Sequence, residues 1–224
     1  MTLEKRITQM VDHTLLKAET TAFDIVRICD EAKQFGFYSV CINPVFISLA
    51  KDQLKNSPVK VCTVVGFPLG ASTTETKAFE TEDAISKGAD EIDMVLHIGA
   101  AKAGNWQMVE NDIRSVVKAA RGRIVKVILE TCLLSRDQII RSCQIAKEAG
   151  AQFVKTSTGF STSGATTADV MLMRQTVGPD FGVKASGGLK TLNDFEAMIQ
   201  AGANRLGTSS AAQLIRGLST AGNY

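Results

Sequence analysis

Four glycines set the grammar of this chain. Gly36, Gly88, Gly150 and Gly202 each close a stretch of helical apolar period and each stand just ahead of a short apolar run, at intervals of 52, 62 and 52 residues. A glycine one step past the last helical turn takes the left-handed conformation that stops a helix, so each marks a helix running into a strand. The pairs are helices ending at 25–35, 73–87, 135–149 and 191–201, followed by strands at 38–42, 91–96, 153–155 and 205–207. Each interval leaves room for one more unit, and apolar runs at 59–65, 124–129 and 181–185 fill them, with helices starting near Pro44, Trp106 and Thr167. The run at 11–15 supplies a first strand, which makes about eight strands alternating with helices.

Helix starts can be read as well. Asn43 ahead of Pro44 is expected to cap a helix with proline in its first turn, and Ser72/Glu75 and Ser135/Gln138 read as capping boxes. Strictly alternating strands and helices argue a parallel sheet with helical crossovers. At about 28 residues per unit a closed (β/α)8 TIM barrel is the economical arrangement, ahead of an open doubly wound sheet. We expect one α/β domain over residues 1–224, with no linker or second domain and a mobile tail at about 219–224.

Composition narrows the class. The chain is 45% hydrophobic and 21% charged, which excludes disordered and fibrous chains. Lys plus Arg number 25 against 23 Asp plus Glu, a balance offering no field for nucleic acid or an anionic membrane. No run approaches the ~18 apolar residues of a membrane span, and the first ten residues lack the apolar stretch of a signal peptide. Five scattered cysteines without a CxxC pair fit reduced thiols and a cytoplasmic setting. With only His13 and His97, no metal site is expected.

In a barrel of this kind the active face lies at the carboxyl ends of the strands. Three strands end in an ionisable group in apolar company: Asp93 in EIDMV, Lys155 in FVKTSTG and Lys184 in FGVKASGG. Singly, each reads as a solvated strand end or a buried ion pair. Together they converge, because inward side chains of a closed barrel share one axis. A nucleophilic lysine must first lose its proton, and bringing an ordinary lysine to neutrality at pH 7 needs about 4.6 kcal/mol of bias against the ammonium. A second ammonium ~6 Å away supplies about 2.8 kcal/mol of that, and burial supplies the rest. Such a lysine adds to a carbonyl and forms an imine, an electron sink that lets an adjacent carbon–carbon bond break or form, with Asp93 moving protons. This chemistry needs no metal and no cofactor.

Small-residue loops follow the last three strands: KTSTGFSTSG at 155–164, SGG at 186–188 and GTSS at 207–210. Each alone makes turns. On consecutive strands they offer the backbone N–H groups that hold a phosphate in such barrels.

Taken together, VDHTLLK at 11–17, EIDMV, VKTSTGF, VKASGG and LGTSSA resemble, in order and over nearly the whole chain, the deoxyribose-phosphate aldolase family. The resemblance implies a metal-free class I aldolase of the TIM-barrel fold, a lyase of deoxyribonucleotide catabolism and carbohydrate degradation. It would reversibly cleave 2-deoxy-D-ribose 5-phosphate to D-glyceraldehyde 3-phosphate and acetaldehyde. It makes Lys155 the Schiff-base lysine, Lys184 its perturbing neighbour and helper in proton shuttling, Asp93 the main proton donor and acceptor, and Asp12 a support of that relay. It assigns Thr156, Gly159, Gly187, Gly188, Ser209 and Ser210 to substrate, the last four chiefly to phosphate. Some members carry lysine where Phe160 stands, which weakens a cationic phosphate clamp here. The terminal Tyr224 matches a tyrosine that assists proton exchange in relatives, and Cys41 matches a cysteine that can react with aldehydes, although its strand shows no activator. Partners implied are a small phosphorylated sugar, an aldehyde and further copies of the chain, as a dimer or tetramer. The alternatives are another Schiff-base aldolase, a transaldolase-like barrel, or a non-catalytic sugar-phosphate-binding barrel. His97 reads as a polar loop residue and Trp106 as helix packing.

Overall fold

Each of the four glycines adopts a positive φ, of 68° at Gly36, 103° at Gly88, 90° at Gly150 and 111° at Gly202, and each is followed by a strand. The computed structural model describes residues 7–217. Its strands are β1 (Val11–Leu15), β2 (Ser39–Ile42), β3 (Lys60–Val65), β4 (Glu91–Val95), β5 (Ile124–Ile128), β6 (Phe153–Lys155), β7 (Gly182–Ser186) and β8 (Arg205–Thr208). They pair in sequence order, all parallel, and β8 closes on β1. Closure leaves no sheet edge to protect. Between them run α1 (Ala22–Phe35), α2 (Ile47–Gln53), α3 (Thr74–Ser86), α4 (Ile98–Lys102), α5 (Trp106–Ala119), α6 (Arg136–Glu148), α7 (Thr167–Val177), α8 (Leu192–Gln200) and α9 (Ala211–Ile215). The architecture is a (β/α)8 TIM barrel. No helix among the described residues is long and apolar enough to cross a membrane.

Helix ends differ in detail from the sequence reading. Pro44 opens a 3-10 turn (Pro44–Phe46) that leads into α2, and the Asn43 side chain makes no capping bond. The Ser72/Glu75 box does not form, because Thr73 caps α3 and accepts from the Thr76 N–H. Consecutive hydroxyls at 72–74 leave that register open in the sequence. The Ser135/Gln138 box is present, and Thr21/Asp24 and Thr191/Asp194 add two more. His97 caps the short α4, its Nδ1 accepting from Ala100 N–H at 3.2 Å. Trp106 opens α5 and packs on the core.

Successive residues of a strand face opposite sides of the sheet. One set, such as Ile92 and Met94 of β4, joins the large apolar layer between sheet and helices. The other set fills the barrel. Its apolar members include Leu16, Cys41, Cys62 and Val64, with Phe67 against them, and many of its other side chains are charged. At the amino-terminal end Arg205 lies over the Tyr38 ring at 3.5 Å and the Phe153 ring at 5.2 Å. A side chain at Gly182 would meet Phe153 ring atoms at 2.2 Å, so glycine opens β7 to give that ring its place.

A second buried pair braces the outside of β4. Lys77 of α3 reaches Asp112 of α5 at 2.5 Å and the Val95 carbonyl at 3.0 Å, with both charged groups fully buried. Two helices are thereby pinned to the carboxyl end of one strand.

Candidate active site

Period two in β4 turns Glu91 and Asp93 to the same side, into the barrel. Neighbouring strands place Lys126 opposite Asp93, Lys155 opposite Ile128, and Lys184 opposite Lys155. The result is one connected ion cluster. Asp93 Oδ2 accepts from Lys155 Nζ at 2.9 Å and from Lys184 Nζ at 2.8 Å, while its Oδ1 accepts from Lys126 Nζ at 2.7 Å. Asp12 on β1 takes Lys184 at 2.5 Å and Arg205 at 2.9 Å, and Glu91 takes Lys126 at 2.6 Å and Arg205 at 3.1 Å. Asp12, Asp93, Lys126 and Lys184 are wholly buried and Lys155 is 1% exposed.

Desolvation works against the charges of Asp12, Asp93, Lys126, Lys184 and Arg205, yet the fields of their neighbours override it. Burial raises Asp93, but Lys126, Lys155 and Lys184 hold it well below the carboxylate range. Asp12 is held down likewise by Lys184, Lys126 and Arg205 against its own burial. Burial favours loss of the proton from Lys184, and Asp12 and Asp93 reverse that, holding it above its ordinary value. Lys126 is held up against burial by Asp93, the Cys62 thiol, Asp12 and Glu91. Three carboxylates, Asp12, Glu91 and Asp93, therefore face Lys126, Lys184, Arg205 and Lys155. Four cations thus share three carboxylates, and Lys155 is the cation nearest the carboxyl end of its strand.

The sequence reading named Asp12, Asp93, Lys155 and Lys184, and the fold brings all four together. It set Asp93 and Lys184 at strand ends, whereas both sit mid-strand and deep in the barrel. It missed Lys126, Glu91 and Arg205. Lys126 stands in IVKVI, the same lysine-in-an-apolar-strand pattern as its two partners, and Glu91 lies two residues before Asp93 on the same face. Cys62 was passed over too. It is the register partner of Cys41, and hydrogen bonding between the thiols lowers Cys41 while burial raises Cys62 well above a thiol's ordinary value. The Cys62 thiol itself donates to Asp93 Oδ1 at 3.2 Å and accepts from Lys126 Nζ at 3.2 Å. Cys41, Cys62 and Asp93 offer atoms within 4.8 Å of one another, a proximity hidden by their spacing. The Asp93 oxygens of that group are occupied by ammonium groups.

The expected substrate residues divide between two hollows at the carboxyl end. Gly159, Gly187 and Gly188 line one of about 310 Å³ with Ser161, Gly164 and Lys190. Ser209 and Ser210 line another of about 390 Å³ with Thr14, Leu16, Lys17, Arg27, Thr158 and Phe160. Phe160 meets Phe67 edge-on at 5.3 Å across the mouth. Thr156 is buried, and its hydroxyl is engaged with the Ser186 backbone in both directions at 3.1 Å. The helix expected to follow GTSS is only the five-residue α9, so an anion site there draws on loop N–H groups more than on a helix dipole. Tyr224 lies outside the described residues. Gly207 gives Lys184 its room: a side chain there would meet Ser186 Oγ at 2.6 Å and Lys184 Cε at 3.0 Å.

Residues 6–222 match the family described as DeoC/LacD family aldolase. A Geobacillus sp. (strain WCH70) protein named deoxyribose-phosphate aldolase is 58% identical over 223 residues, 99% of this chain and 100% of that one. A Lactococcus lactis protein of the same name is 57% identical over 219 residues, 98% of this chain and 100% of that one. Among solved structures, the tetrameric deoxyribose phosphate aldolase of Aeropyrum pernix superposes with a TM-score of 0.89 at 33% identity, covering 95% of this chain and 90% of that one. The aldolase QR15 superposes at 0.90 with 35% identity, covering 94% and 95%.

Proposed function

The chain belongs to the DeoC/LacD family of aldolases, and from that footing we propose that it is a class I aldolase that reversibly cleaves 2-deoxy-D-ribose 5-phosphate to D-glyceraldehyde 3-phosphate and acetaldehyde. Lys155 is the Schiff-base lysine in this reading. The observation that carries it is the shared oxygen of Asp93, which holds Lys155 beside a permanently charged Lys184 in a cluster of four cations and three carboxylates.

The neutral Lys155 amine adds to the C1 aldehyde of the open-chain sugar, and loss of water from the carbinolamine gives a protonated imine. A base removes the C3 hydroxyl proton, the C2–C3 bonding pair moves into the imine as an enamine, and glyceraldehyde 3-phosphate leaves. The enamine takes a proton at the former C2, and water releases acetaldehyde and the amine. Asp93 is the relay for these protons. Its charged neighbours drive a captured proton straight on, so it transmits rather than stores. Lys184 acts as a fixed cation, with Asp12, Lys126, Glu91 and Arg205 holding both in place. The phosphate is assigned to the loops at the carboxyl end, Gly159, Gly187 and Gly188 in one hollow and Ser209 and Ser210 in the other, with Thr156 holding the loops after β6 and β7 together. Tyr224 is assigned to proton exchange at the acetaldehyde-derived carbon.

We further place the protein in the cytoplasm as a single-domain homo-oligomer, a dimer or tetramer. Exposed Phe23 and Phe79 are apolar surface that such an assembly would cover. The reading is tested by intact mass after borohydride reduction with acetaldehyde and with 2-deoxyribose 5-phosphate. One stable adduct on Lys155, lost in Lys155→Ala, is expected. A folded protein that gains no mass would refute imine chemistry.

A further inference from the structure

Glu130 stands two residues past β5 and takes φ 53° and ψ 63°, a left-handed conformation that residues with a side chain rarely adopt. Glycine would hold that backbone without strain. The chain instead carries a glutamate there that is 2% exposed, and strain of this kind persists where the side chain is needed.

That carboxylate is held chiefly by Thr158, with a longer contact from the Cys132 thiol at 4.0 Å. It accepts from the Thr158 backbone N–H at 3.3 and 3.4 Å and, by a short bond, from the Thr158 hydroxyl. The hydroxyl oxygen in turn accepts from Phe160 N–H at 3.0 Å. Just upstream, Leu129 N–H donates to the Lys155 carbonyl at 2.9 Å and Thr131 N–H to the Thr156 carbonyl at 3.0 Å. The segment leaving Lys155 is therefore laced to the end of β5 at 155, 156 and 158. Past the last stitch, Gly159 enters the wall of the glycine-lined hollow and Phe160 enters the mouth.

We propose that Glu130 is a positioning residue for the phosphate end of the substrate: its grip on Thr158 sets where Gly159 stands relative to Lys155. The inference rests on the aldolase reading and deepens it. Loss of the grip should weaken recognition of the phosphorylated substrate while leaving the chemistry at Lys155 intact.

The test compares cleavage of 2-deoxyribose 5-phosphate and unphosphorylated 2-deoxyribose by wild type, Glu130→Gly, Glu130→Gln and Thr158→Val. Glu130→Gly keeps the backbone conformation accessible and removes the carboxylate, so it should fold. It is expected to raise KM for the phosphorylated sugar about tenfold with kcat nearly unchanged, and to leave kcat/KM for the unphosphorylated sugar within about twofold. Glu130→Gln, whose carbonyl still accepts both bonds, should stay near wild type. Thr158→Val should raise the same KM, and the Glu130→Gly/Thr158→Val double variant should fall short of the sum of the two effects. Equal losses on both sugars, or no loss on either, would overturn the role of Glu130. Wild type that cleaves neither sugar would remove the aldolase reading, and this inference with it.

Discussion

Lys155 and Lys184 are register partners on β6 and β7, and both ammonium nitrogens reach the same oxygen of Asp93. Parallel pairing turns the two side chains the same way, so the sheet itself enforces their proximity. Lys184→Met removes the fixed cation from beside Lys155. Borohydride trapping with acetaldehyde at pH 7 should slow by roughly 10²-fold, and its dependence on pH should move to higher pH, because an ammonium with fewer cations around it is harder to discharge. A rate and pH profile matching wild type would show that Lys184 does not act on Lys155.

The cluster also fixes how stability follows pH. Asp12 and Asp93 lie below their ordinary 3.8 in the folded chain, so their contribution is complete above that value and is lost as pH falls below it. Lys126 and Lys184 lie above their ordinary 10.5, so theirs is complete below that value and is lost as pH rises through the folded values. Urea midpoints should be flat from about pH 5 to 9 and drop by about pH 3. Asp12→Asn should show a shallower acid limb. Equal wild-type midpoints at pH 7 and pH 3 would contradict the depressed carboxylates.

Gly207→Ala tests the space around Lys184. The new methyl presses on Ser186 Oγ and Lys184 Cε, and Lys184 is fastened at its tip by Asp12 and Asp93. Overpacking of this size costs about 1–3 kcal/mol of stability. The larger effect should be on kcat/KM, about 10²-fold, since displacement of a catalytic neighbour by ~1 Å is felt at that level. Steady-state rates beside urea melts separate the two, and a stability loss with unchanged rates would mean that the position of Lys184 is immaterial.

Outside the barrel, Asp112→Ala should cost about 3–5 kcal/mol, because it leaves the Lys77 ammonium buried without its counterion. The double variant Lys77→Met/Asp112→Leu should recover much of that in chemical denaturation. A double variant as unstable as the single would mean that the pair is worth more than apolar packing.

The barrel was legible because its punctuation is local: a helix-stopping glycine ahead of an apolar run needs no knowledge of the rest of the chain. Capping at 72–74 was less so, since three adjacent hydroxyls compete and tertiary packing chooses among them. At the site, Lys155, Lys184 and Asp93 stood out as charges in apolar strands beside glycine-rich loops. Lys126 carries the same signature without such a loop, and Glu91 and Arg205 open their strands, where charge looks ordinary. What the sequence could not display is the lateral pairing that puts Cys41 against Cys62 and Asp93 against Lys126, because register is set across strands and not along them. Glu130 hides for the same reason. Its partner is 28 residues away, and its left-handed backbone has no glycine to announce it.

Arg205, wedged against the faces of Tyr38 and Phe153, gives the barrel a stopper at its amino-terminal end. The ion cluster lies beyond that stopper, with Asp12, Asp93, Lys126 and Lys184 wholly buried. In barrels of this kind the substrate enters at the carboxyl face, so the sugar and the water for imine hydrolysis would share that doorway. Glyceraldehyde phosphate held there would stand between bulk water and the enamine, and the order in which product departs and solvent enters would then follow from the architecture.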